Sequence, residues 1–278
     1  VRLIMKTTDF TWRLIWSRML LAAGLGCLPT LALAQDSTPA FNDTDLVVGV
    51  SYVIPPFVGG AKVRTPESIE TALAAEIATR LRADLRTVSA VAADRSALLK
   101  NIGMDFLVGT PRELQVSYPD TIIVPTGYFL SPMAIMRADS DIKTWAQLQG
   151  RTVCLSEGGP YRGTMAAQYG AVEKVLRAPA DSLLALRTGV CDAAVHDSSM
   201  LNELLKLPEW KKFSARLPSG QRVPLVFAVS SDKVQTVKLL KQASSDWKAS
   251  RYLDKLTKNR ARDIAFEVYL DQNVPDCH

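Results

Sequence analysis

Hydrophobic and polar positions along this chain follow two periods in alternation. Short β-branched runs bounded by turn residues, such as Leu46 to Val50 (LVVGV), read as buried strands. Longer stretches space their apolar residues by four, as Ile69, Leu73, Ile77 and Leu81 are spaced within Glu67 to Leu81, which is one face of a helix. Between them Ser51 to Phe57 (SYVIPPF) is extended, because the residue before a proline is driven out of the helical region and Pro56 cannot donate to a ladder. Asp84 to Val91 and Phe106 to Val108 are the next predicted strands, separated by a helix around Arg95 to Lys100. This β-α-β-α-β alternation predicts a doubly wound sheet.

The grammar then repeats. Met133 to Met136 predicts a strand, Thr144 to Gln149 a short helix stopped by Gly150, and Thr152 to Leu155 a strand. Tyr161 to Tyr169 predicts a helix, Lys174 to Arg177 a strand, Asp181 to Arg187 a helix, and Asp192 onward a strand that ends at Asp197 before a helix start. Leu225 to Val229 reads as a return strand, and Lys233 to Leu256 as one long amphipathic helix with Val234, Val237, Leu240 and Trp247 on its apolar face. The expected fold class is α/β, with two doubly wound α/β lobes joined by two crossover strands near Tyr128 to Ser131 and Arg222 to Leu225. Residues 45–131 and 225–278 form the first, discontinuous lobe, and 132–224 form the second.

Residues 1–34 read as an address. Arg13 and Arg18 flank the apolar run Met19 to Leu33, and Ala32-Leu33-Ala34 supplies an A-x-A site, so cleavage is expected after Ala34. Gly24, Gly26 and Pro29 break a run that is too short to span a bilayer comfortably. Cys27 follows Gly24-Leu25-Gly26, which lacks the aliphatic residue of a lipidation site. The protein is expected in the periplasm. Without the leader, 29 basic residues face 27 acidic ones, scattered along the chain without a basic stripe, and a nucleic-acid partner is not expected. A monomer is expected. Cys154, Cys191 and Cys277 remain after cleavage; export permits a disulfide, and Cys154 and Cys191 are either neighbours across a sheet or two small buried side chains.

In an open α/β sheet ligands sit at the carboxyl ends of the parallel strands, which makes Asp197 the leading candidate for a ligand contact. An N-cap role for the following helix is the alternative, and both can coexist. Catalytic equipment is sparse. His196 is the sole histidine away from the C-terminus and neighbours Asp197 in a strand, so their side chains face opposite ways, the wrong geometry for a Ser/His/Asp arrangement. There is no C-x-x-C spacing, histidine cluster or Gly-rich phosphate loop, so no metal or cofactor is expected and the chain does not read as an enzyme.

Leu46 to Phe57 (LVVGVSYVIPPF), Trp145 to Leu155 (WAQLQGRTVCL), Leu186 to Asp197 (LRTGVCDAAVHD) and Leu225 to Ser230 (LVFAVS) fall in the order found in periplasmic solute-binding proteins of family 3, which the chain resembles over nearly all of its mature length. The resemblance implies the type II two-lobe fold and a small polar solute, an amino acid or related carboxylate, handed to a membrane ABC permease. It implies that Arg112, after Thr110 and Pro111 and four residues before Val116, holds the ligand carboxylate, for which guanidinium geometry is suited. Asp197 would hold the ammonium, and Tyr52 and Phe57 would form an aromatic wall, ordinary packing beside the prolines being the alternative. Of Tyr128 and Phe129, where the chain crosses between lobes, strand alternation turns one towards the cleft and its neighbour away. Ser156 and Gly158 stand where family receptors carry a Gly-Ser/Thr-Thr turn at a helix start, so Ser156 to Pro160 (SEGGP) keeps glycine access with fewer hydroxyls. The segment between Asp105 and Arg112 is also shorter than the family norm. Shortened recognition loops occur in relatives that accompany periplasmic quinoprotein dehydrogenases, so an accessory role is one alternative, and a dehydratase on the same fold another. For Arg112 the alternative is a surface ion pair with Glu113 or Asp120.

Overall fold

Two five-stranded sheets, each flanked by helices, make up two lobes in the computed structural model, which describes residues 45–56, 58–60, 62–90, 103–114 and 120–272. The first lobe begins with β1 (Asp45–Val50), α1 (Glu70–Leu81), β2 (Asp84–Ser89), β3 (Phe106–Gly109) and β4 (Thr121–Leu130). The second contains β5 (Pro132–Met136), β6 (Thr152–Ser156), α2 (Thr164–Tyr169), β7 (Val172–Leu176), α3 (Pro179–Arg187), β8 (Ala193–Asp197), α4 (Ser198–Leu204) and β9 (Ala215–Arg216). The chain returns through β10 (Val223–Ser230), α5 (Val234–Ser250) and α6 (Tyr252–Leu270).

The first sheet runs β2-β1-β3-β10-β4 and the second β7-β6-β8-β5-β9. In the first, β1 is parallel to β2 and β3, while β10 is antiparallel to β3 and β4. In the second, β6 is parallel to β7 and β8, while β5 is antiparallel to β8 and β9. Leu46 to Val50 are buried because both faces of β1 are covered, the usual state of a parallel strand between helices. The four-residue spacing seen in the sequence is the buried stripe of α1, with Leu73, Ala74, Ile77 and Ala78 inside.

Two expectations change. The single helix over Lys233 to Leu256 is two helices, because Arg251 adopts the left-handed conformation at φ 53° and turns the chain between α5 and α6. The assignment of all of 225–278 to the first lobe also changes. β10 and α5 do pack there, through Leu225, Phe227, Leu240 and Trp247, and the first turns of α6 lean on the same core through Tyr252, Leu253 and Leu256. Beyond that, Ala261, Ile264, Ala265 and Val268 are buried in the second lobe's core against α3 and α4. Their spacing of three and four puts one apolar face of α6 onto that lobe. Helix α6 is thus a strap from one lobe to the other.

Cys154 on β6 and Cys191 ahead of β8 are joined in a disulfide, with Cα atoms 5.8 Å apart, which decides between the two readings of this pair. Cys191 lies in the turn that leads into β8, which runs parallel to β6 with Cys154 opposite Ala194, so the bond ties that turn to β6. The leader, the helix around Arg95 to Lys100, Phe57, Val116 and Cys277 lie outside the described residues.

Candidate functional site

A cavity of about 250 Å³ lies between the lobes. The first lobe contributes Tyr52, Glu70 and Glu113 to its wall, the second Gly158, Arg162 and Asp197, and helix α6 Arg260.

Asp197 ends β8 and caps α4, accepting a hydrogen bond from Ser199 N at 3.0 Å. The same carboxylate accepts from Tyr128 Oη (3.0 Å), Ser131 N (3.0 Å) and Tyr161 Oη (3.1 Å), and from the Ser199 hydroxyl. A carboxylate offers about four lone-pair sites, so these donors occupy both oxygens. Burial, reinforced by the adjacent Asp197 charge, raises the Tyr128 and Tyr161 hydroxyls well above the ordinary tyrosine value and keeps them as donors. Asp197 is a cavity wall and a structural node at once, tying β4, the crossover, α4 and the turn before α2.

Glu67 was not singled out in the sequence, yet it joins the two lobes. Its side chain, 4% exposed, leaves the first lobe's loop and enters the second, where Oε2 lies 2.6 Å from His196 Nδ1 and accepts from Ser156 Oγ at 2.5 Å. Burial alone pushes this carboxyl up, but His196, Ser156 and Arg260 outweigh it and hold it below the ordinary glutamate value. His196 Nε2 lies 2.9 Å from Ser182 Oγ, so Ser182, His196 and Glu67 form a line with the connectivity of a nucleophile, base and acid. Ser182 and His196 are fully buried and neither lines the cavity, so no substrate carbon reaches the hydroxyl. The line is a structural bolt.

Further bonds join the same loop to the second lobe and to α6. Arg64 pairs with Asp181 at 2.8 Å and with Asp271, and Thr65 N donates to Glu267 Oε1 at 2.8 Å. Arg260 Nη2 donates to the Glu67 carbonyl at 3.1 Å and to the Pro66 carbonyl. Burial draws the Arg260 guanidinium below its ordinary value, against the opposing pull of Tyr128, Glu67, Asp263 and Asp197.

No family model matches the chain, and no curated protein matches it. Solved structures do. A mutant of ArgBP from T. maritima superposes with a TM-score of 0.52 at 21% identity, covering 78% of this chain and 94% of that one. The YCKB protein from Bacillus subtilis gives 0.53 at 17% identity, covering 80% and 92%. The GLUR0 ligand binding core in complex with L-glutamate gives 0.50 at 14%, covering 78% and 98%. The fold is that of a type II periplasmic binding protein. Identities this low establish architecture, and the ligand has to be read from this chain's own side chains.

Within the type II fold the expected contacts separate. Thr110 N donates to Glu113 Oε2 at 2.9 Å and Glu113 N donates to Thr110 Oγ1 at 3.2 Å, a reciprocal capping box. That box makes Thr110 to Leu114 one turn, which places Glu113 on the cavity and leaves Arg112 exposed and outside its lining. The T-x-x-E spacing of Thr110 and Glu113 was the signal for it. Tyr52 lines the cavity, and Gly158 lies beneath its ring: at φ 70°, a Cβ there would come within 2.6 Å of Tyr52 Cγ. Ser156 is turned to Glu67 and does not line the cavity. Of the two crossover aromatics, Tyr128 faces the cavity, while Phe129 faces away under the Arg222 guanidinium at 4.4 Å, since successive strand residues point to opposite sides. Among the described residues no group of three or more His, Cys, Asp or Glu could hold a metal ion, and no helix is long and apolar enough to cross a membrane.

Proposed function

We propose that this protein is a periplasmic receptor that captures a small polar solute, an amino acid or related carboxylate, between its lobes and presents it to a membrane ABC permease. It binds without catalysis and works as a monomer. The observation that carries this reading is the interlobe cavity, which holds carboxylates and guanidinium groups on facing walls at the place where two-lobed proteins take ligands. Its volume of about 250 Å³ suits a molecule of amino-acid size better than a peptide or sugar polymer. Solved relatives of the same fold support the choice of solute, one of them holding L-glutamate. The test is a thermal-shift panel of the standard L-amino acids and simple carboxylates on the mature protein. A ligand at a hundred times its Kd stabilises by about 2.7 kcal/mol, a rise of several degrees for a domain of this size. A flat response across the panel removes the receptor reading.

A specific observation favours a second reading, an accessory protein that binds a protein partner. Glu67 bolted to His196 and Ser156, together with α6 packed in the second lobe, holds the lobes together by the chain's own contacts. A transport receptor opens and closes on its ligand. Small-angle scattering separates the two: a receptor contracts when ligand is added, and a fixed accessory keeps one radius of gyration.

A further inference from the structure

We infer that the ligand's anionic group is held by Arg260 of helix α6, and its cationic group by Glu113 of the first lobe. This rests on the binding reading above and reverses the polarity that Arg112 and Asp197 would have given. Both of those residues are otherwise disposed, Arg112 exposed on the Thr110 turn and Asp197 engaged by five donors.

The charged groups of the cavity wall differ in what they have left to offer. Glu67 is committed to His196 and Ser156, and Glu70 accepts from Ser51 N at 2.6 Å and from the Ser51 hydroxyl. Glu113 uses only Oε2, towards Thr110 N, and its Oε1 has no hydrogen-bond partner among the described residues. Arg260 is the converse. Its Nη2 is anchored on the carbonyls of Pro66, Glu67 and Ser68, which fixes the plane of the guanidinium. Its Nε and Nη1 have no hydrogen-bond partner among the described residues, although the side chain lines the cavity. A guanidinium has five N–H donors and never loses its charge under ordinary conditions, so a part-buried one with donors to spare favours an anion. Because the anchoring bonds are made in advance, an arriving carboxylate does not have to order the side chain. Arg162, the other guanidinium of the wall, is exposed.

Placement adds a consequence. Arg260 belongs to the strap that joins the lobes and holds the loop carrying Glu67, so an anion on its free edge sits beside the interlobe join. Binding there and lobe closure are coupled through one side chain.

The test uses acetate as the first probe, titrated against sodium chloride at matched ionic strength, with thermal midpoints read for wild type, Arg260→Gln, Arg112→Gln and Glu113→Gln. Acetate is expected to raise the midpoint of wild type, Arg112→Gln and Glu113→Gln and to leave Arg260→Gln unmoved. Amino acids form the second probe. Any that bind wild type should lose roughly ten- to a hundred-fold in affinity in Arg260→Gln, the worth of a hydrogen bond to a charged group. Glu113→Gln, which keeps the capping box, should weaken amino acids and spare acetate. In case Arg260→Gln does not fold, the arginine Nε–H resonances of wild type, labelled at arginine, supply an independent measure: one should shift and exchange more slowly with acetate. An acetate response through Arg260 without any amino-acid response sinks the receptor reading and leaves the anion site standing. Binding that survives Arg260→Gln within about three-fold, or that is abolished by Arg112→Gln, overturns the inference, as does wild type with neither a midpoint nor a resonance response to acetate.

Discussion

Asp197 shows how one side chain can serve a cavity without being free for a ligand. Its position at the end of β8 follows from the strand-to-helix junction in the sequence, and its N-cap bond to Ser199 follows from the same junction. The hydroxyls of Tyr128 and Tyr161 come from residues far away in sequence, on β4 and before α2, and only folding delivers them. Replacing Asp197 by Ala removes a cap and strands those donors in a buried place. The expected loss is about 3 kcal/mol or more by urea unfolding, since a cap is worth about 1 kcal/mol and each unsatisfied buried group another 1–3. A loss under about 1 kcal/mol would show that Asp197 is not the node its bonds describe.

Among elements, β6 is tied to the turn before β8 by the Cys154–Cys191 bond, whose partners are 37 residues apart in sequence. A loop of this length restricts the unfolded state by about 3–4 kcal/mol in the chain-entropy picture. Cys154→Ala combined with Cys191→Ala should therefore lower the urea midpoint, and reductant should lower the wild-type midpoint while leaving the double variant unchanged. Equal midpoints with and without reductant would deny the bond a stabilising role. Helix α6 shows the opposite limit of local reading. Arg251 carries no glycine-like signal for a left-handed residue, so the helical pattern from Lys233 onward continues through the break. The apolar stripe at Ala261, Ile264, Ala265 and Val268 specifies a buried face, and packing decides which lobe receives it.

At the scale of the whole molecule, the Glu67 bolt makes the join between lobes sensitive to acid. The folded value of its carboxyl lies below the unfolded one, so its contribution is complete above the ordinary glutamate pKa of about 4.3 and is lost as pH falls through the lowered folded value. Wild type should lose stability below about pH 4, and Glu67→Ala should lose less over the same interval because its contribution is already gone. Breaking one partner of a buried pair costs about 3–5 kcal/mol, so Glu67→Ala should also be markedly less stable than wild type at neutral pH. Equal slopes for the two proteins between about pH 5 and pH 2 would remove Glu67 from the acid response. Losing this join should shift the population towards open molecules, which scattering would read as a larger radius of gyration for the variant.

What the chain determined by itself is its local alternation. Strand and helix periods, proline punctuation and the strand-end aspartate follow from side-chain direction and backbone sterics, which act over a few residues, and they are enough for two α/β lobes and the place of the cleft between them. Tertiary structure decided which charges meet there. Thr110 and Glu113 close a turn that carries Arg112 outward, Glu67 crosses to His196 and Ser156, and Arg260 arrives from a helix nearly two hundred residues away from the loop it anchors. The physical reason is that a buried charge is tolerated only where partners from distant segments converge on it, and that convergence is a property of the packed chain rather than of any stretch of it.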